Sequence, residues 1–96
     1  MATAVRSAAT QIVHDNYTSP LIAATKTVSV KAVYITISNR ATTPGDSIGV
    51  SFDGGTNFYT IDEGSSFSFD IWGAKNYKIK ANVNPAITEC VYGLES

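Results

Sequence analysis

The sequence predicts an all-β fold, an antiparallel β-sandwich of jelly-roll or immunoglobulin-like type with about eight strands. Three observations carry this. Val, Ile, Thr, Tyr, Phe and Ser dominate while the strong helix formers Leu, Glu, Gln and Met are scarce. Apolar residues recur with period two, and turn signals interrupt them every 8–12 residues with no helical stretch between. With 96 residues the chain builds one core only, so two domains and parallel βαβ units are both excluded.

The first ten residues, MATAVRSAAT, read as an arm rich in Ala, Ser and Thr, and residues 11–96 as a single sandwich domain. A strand begins around Gln11-Ile12-Val13, and Pro20-Leu21-Ile22-Ala23-Ala24 is a second short strand candidate. In TVSVKAVYITIS, residues 27–38, apolar parity runs through Val28 and Val30 and then through Val33, Ile35 and Ile37. Such a slip demands a bulge or a passage from one sheet to the other, and we read one long bent strand.

The Pro44-Gly45 turn leads into SIGVSFD, where Ile48, Val50 and Phe52 alternate with Ser47, Gly49 and Ser51 as in a half-buried strand. Asp53-Gly54-Gly55-Thr56 supplies a tight reversal into NFYTI, so residues 47–61 form a β-hairpin. After Asp62-Glu63-Gly64, the segment SSFSFDIW places Phe67, Phe69 and Ile71 on one face and Trp72 on the other. In YKIKANV the inward set is Tyr77, Ile79, Ala81 and Val83, with Lys78 and Lys80 in water. The closing strand ITECVYGLE turns Cys90, Tyr92 and Leu94 inward.

Composition limits the chemistry. Seven Lys+Arg against eight Asp+Glu, without a basic run, give no field to gather nucleic acid or an anionic membrane surface, so neither is expected as a partner. One Cys cannot form an internal disulfide, and Cys90 in an apolar strand reads as a small inert hydrophobe. No apolar run reaches membrane-helix length, and the first residues lack a signal-peptide core, which suggests a product made and used in the cytosol or carried out by lysis. A Ser or Cys nucleophile would depend on His14, the sole His, which reads as a surface residue. Asp46, Asp53, Asp62, Glu63 and Asp70 lie in or near turns but follow no calcium-loop spacing, and one His with one Cys cannot hold zinc. No enzyme activity, no catalytic residue, no cofactor and no metal site are therefore expected. The aromatic residues give the one surface signal: Trp72 and Tyr59 are candidate contact residues, able to fill a partner's pocket or stack on a sugar.

Two resemblances add to this reading. The segment SFDGGTNF, residues 51–58, resembles the Asp-box of sialidase-like propellers, Ser-x-Asp-x-Gly-x-Thr-Trp. Ser51, Asp53 and Gly55 match it, while Asn57 stands for the Thr and Phe58 for the Trp. The resemblance implies a stapled hairpin and not sialidase activity, since one copy cannot make a propeller. The cadence of residues 30–93, from ITISNR through IGVSFDGGTNFYTI, GSSFSFDIW and YKIKANV to ECVYG, resembles the small β-sandwich virion proteins of tailed bacteriophages. That implies a capsid decoration or cement protein, an oligomer that binds the major capsid or another virion protein and stabilises the head. It would be made in the host cytoplasm and reside in the virion. Its contacts would involve Trp72, Tyr59 and the arm residues Ala2, Thr3, Ala4 and Val5. The alternatives are a head or tail accessory protein and a carbohydrate- or receptor-binding module.

Overall fold

The computed structural model describes residues 11–28, 32–70 and 76–94. They form eight strands: β1 (Gln11–Ser19), β2 (Ala24–Thr27), β3 (Ala32–Asn39), β4 (Ile48–Ser51), β5 (Tyr59–Ile61), β6 (Ser66–Asp70), β7 (Asn76–Ala81) and β8 (Ala86–Leu94). One sheet has the order β1-β8-β3-β6 and the other β2-β7-β4-β5, and every pairing is antiparallel. First pairs with last, second with seventh, third with sixth and fourth with fifth. The chain is thus one long hairpin rolled up so that successive pairs alternate between layers, which decides for the jelly roll over the immunoglobulin-like order.

Period-two alternation puts one side of each sheet against the other. Ile35 and Ile37 from β3, Ile48 and Val50 from β4, Ile79 from β7 and Cys90 from β8 are wholly buried between the layers. The expected inward faces of β7 and β8 are confirmed at Tyr77, Ile79, Ala81 and Cys90. The hairpin of residues 47–61 is also present, with Ile48 opposite Ile61 and Val50 opposite Tyr59.

Four expectations need correction. The parity slip near Ala32 marks a change of sheet: β2, ending at Thr27, belongs to one layer and β3, beginning at Ala32, to the other, so the described residues form two strands and not one long bent strand. A register shift between Ala32 and Tyr34 adds a bulge at the start of β3. Pro20 to Ala23 is a connection and not a strand, because Pro20 uses its carbonyl to accept the Ala81 amide at 2.6 Å and so joins the chain between β1 and β2 to the end of β7. Val83 falls beyond β7 and is exposed, and β4 is buried on both faces and not on one. Phe58 and the Lys80 stem cover the outer side of β4, each 3.3 Å from where a Cβ on Gly49 would stand. The expected arm of residues 1–10 lies outside the described residues.

One end of the roll is held by a single amide. Asn39, wholly buried at the end of β3, donates through Nδ2 to the carbonyls of Asp46 at 2.8 Å and Ile61 at 3.0 Å. Its Oδ1 accepts from the Ala41 amide, and its backbone exchanges bonds with Ser65 and Gly64. A buried polar group is tolerated when every donor and acceptor is used, as here. Replacing Asn39 by Ala strands two carbonyls and one amide, so we expect a loss of about 3 kcal/mol in urea unfolding. Thr36→Ala, which removes only the exposed hydroxyl pair with Ser68, should cost less than about 1 kcal/mol in the same measurement.

Candidate functional site

A two-layer roll leaves two open flanks, where the edge strands of the layers lie side by side, and the two are closed differently. At the β1–β2 flank, Tyr17 reaches inward and its hydroxyl meets that of Tyr77 at 2.7 Å, while Tyr77 donates onward to the Cys90 Sγ at 3.4 Å. Burial pushes the pKa values of both tyrosines and of the Cys90 thiol above their ordinary ranges, so all three stay neutral. Lys26 of β2 then caps the flank, its Nζ 4.0 Å from the centre of the Tyr17 ring and 3.7 Å from the Asp15 carboxylate. Charges turned inward along an edge oppose the addition of another strand.

The β5–β6 flank carries rings instead. Phe69 stands 4.8 Å from Phe52, 5.5 Å from Tyr59 and 6.0 Å from Phe67, centre to centre, and Phe52 lies 6.0 Å from the buried Tyr77. The row runs from core to surface, where Tyr59 is 56% and Phe67 48% exposed. Alternation sends Ser66, Ser68 and Asp70 of β6 to the outer face, so the inner side of this edge is uncharged. Beside it Phe52, Asp53, Asn57 and Tyr59 line an open hollow of about 300 Å³.

The turn below the hollow is built as the Asp-box resemblance implies. The buried Ser51 hydroxyl donates to Asp53 Oδ1 at 2.7 Å and accepts from the Gly55 amide at 2.9 Å. Asp53 Oδ1 also accepts the amides of Thr56 at 3.1 Å and Asn57 at 2.9 Å, and Oδ2 accepts the Asn57 side-chain amide at 2.9 Å. Asn57 therefore adds a bond to the same carboxylate. Phe58 lies over β4 with Lys80 Nζ 4.5 Å above its ring. Gly54 and Gly55, at φ +77° and +95°, supply a backbone that side chains rarely adopt.

With four donors on it, the Asp53 carboxylate is committed to its own turn. His14 is exposed on β1, at the opposite edge of its sheet from β6. Asp46 accepts from Asn84 and Glu63 from the Gly45 amide, both at the other end of the roll from Asp53. Among the described residues no three His, Cys, Asp or Glu side chains converge as a metal site would require. Of the expected contact residues, Tyr59 is on the aromatic flank; Trp72, Ala2, Thr3, Ala4 and Val5 lie outside the described residues. Sequence reasoning missed Phe67 as a surface ring, because alternation assigns a face but does not reveal that β6 is an edge.

No family model and no curated protein matches the chain. A solved structure does share its fold over 99% of this chain and 100% of the other, with a TM-score of 0.53 and 19% sequence identity. That chain comes from Bacillus endospore appendages, which form a novel family of disulfide-linked pili. The capsid-decoration reading is thereby corrected: the full-length fold match is to a bacterial appendage and not to a phage head protein. The shared strand cadence reports the roll itself, which many unrelated assemblies use.

Hydrogen bonds from the Asn57 amide, the Ser51 hydroxyl and the Asn57 side chain hold the Asp53 carboxyl down at about 2. Because the folded value lies below the unfolded one of about 3.9, the staple's contribution is complete above pH 4 and disappears as pH falls through about 2. The wild-type melting temperature should therefore drop across that window more than that of Asp53→Asn, and the Asp53 carboxyl should titrate by NMR with a midpoint near 2.

Proposed function

We propose that the protein is a structural subunit that assembles with copies of itself into a pilus-like polymer, held without disulfides. The observation that carries this is the contrast between the flanks: one is closed by Lys26 and Asp15, and the other presents an uncharged row of rings ending in the exposed Tyr59 and Phe67. Soluble domains guard their edges with charge, and an unguarded aromatic edge is a contact surface. A match along the whole chain to a pilus-forming protein supports polymerisation as the use of that surface.

The means of linkage differs. Disulfide-linked is the description of the Bacillus appendages, whereas this chain has one Cys. Cys90 is wholly buried beneath Tyr77 and its thiol is kept protonated by that burial, so it is out of reach of a neighbouring subunit. Contacts between subunits are then hydrophobic and hydrogen-bonded, and their strength follows concentration and not redox state.

Sedimentation velocity and negative-stain electron microscopy of the purified chain, with and without dithiothreitol, test this. Polymers of equal length in both conditions are expected, with Cys90 unreactive toward a thiol reagent until denaturant is added. A monomer across the accessible concentration range would overturn the reading, and polymers lost on reduction would overturn its non-covalent character.

A further inference from the structure

A second exposed apolar surface lies at an end of the roll, away from the aromatic flank. The connection between β1 and β2 and that between β7 and β8 meet there through the bond between the Ala81 amide and the Pro20 carbonyl. Leu21 is 53%, Ile22 85% and Val83 57% exposed. No charged residue occurs from Ser19 to Ala24 or from Ala81 to Ala86. The other half of this end, formed by the connections before β4 and after β5, bears the exposed Asp62 and the half-buried Glu63, with Asp46 buried beneath. Its one basic residue, Arg40, is occupied by Glu89 at 2.6 Å. The end is therefore aliphatic on one side and acidic on the other.

Such a surface fits a particular partner. Carboxylates beside the aliphatic patch repel the anionic headgroups of a membrane. A matching surface would join exposed apolar rings to nearby cations, and the chain itself carries one. Tyr59 and Phe67 end the β5–β6 flank, and Lys78 and Lys80 stand on the outer face of the sheet to which β5 belongs. Neither lysine is ion-paired among the described residues. Two different surfaces that complement each other on one chain give a head-to-tail contact, which repeats without closing and so extends a polymer.

We propose that the end bearing Leu21, Ile22 and Val83 docks on the aromatic β5–β6 flank of a second copy, with Asp62 and Glu63 facing Lys78 and Lys80. The proposal rests on the self-assembly reading and names the contact that would propagate it.

Complementation between two variants tests it. Ile22→Asp spoils the end and keeps the flank, and Tyr59→Asp spoils the flank and keeps the end. Each alone should lower the assembled fraction at least tenfold by sedimentation velocity, with far-ultraviolet circular dichroism and melting unchanged. An equimolar mixture should yield a dimer and nothing larger, since one intact end meets one intact flank and the remaining surfaces are spoiled. The dimer should weaken between 50 mM and 500 mM salt. Should Tyr59→Asp misfold, Phe67→Asp takes its place. Wild-type polymers that persist in either variant, or a mixture that stays monomeric, would overturn the end-to-flank contact while leaving self-assembly standing. A monomeric wild type would remove both.

Discussion

The structure depends on one constraint: its described residues contain no helix, so each sheet can hide its apolar face only against the other sheet. Ile35, Ile37, Ile48, Val50, Ile79 and Cys90 meet across that interface with no solvent access. Two layers cover each other's faces but not each other's sides. Every remaining feature of the surface answers the question of how those sides are closed. At β1–β2 the answer is an ion pair and a cation over a ring, of little energetic weight when exposed but unfavourable to an incoming strand. At β5–β6 it is a graded series of rings that ends in water.

The ends of the roll are closed by different chemistry. At one end Asn39 gathers the backbone of the β3–β4 and β5–β6 connections into a single buried set of hydrogen bonds, and no buried polar side-chain atom among the described residues is left unsatisfied. At the other, Ser51 and Asp53 do the equivalent work within one turn. These two hydrogen-bonded sets hold the strands on either side of them in place. Preorganised surfaces lose less conformational freedom on contact, which favours association by a small domain.

Much of this was legible in the residues, and the reasons for the failures are physical. Alternation in YKIKA and TECVY places Tyr77, Ile79 and Cys90 inside, because period two maps directly onto the two faces of a strand. The Asp-box staple was readable since its bonds are local, spanning residues 51–57. Strand neighbours were not readable, and with them went the distinction between edge and centre. Phe67 looks like any core phenylalanine until β6 is known to be outermost. Leu21 and Ile22 look like strand residues until the Pro20 carbonyl is seen bonded to Ala81. Gly49 seemed to leave one face of β4 wet, yet the cover comes from Phe58 and Lys80, which no local pattern connects to it.

The nested pairing of strands also grades the sequence separation of the partners, which sets the loop that each pairing must close. β4 and β5 close the shortest loop, around their stapled turn, and the loop lengthens outward through β3·β6 and β2·β7 to β1·β8. β8 sits in the middle of its sheet, between β1 and β3. A chain emerging from the ribosome therefore holds β1 without a partner and β3 bare along one side until the nine residues of β8 are free. An inward charge such as Asp15 opposes the pairing of a bare strand with another chain.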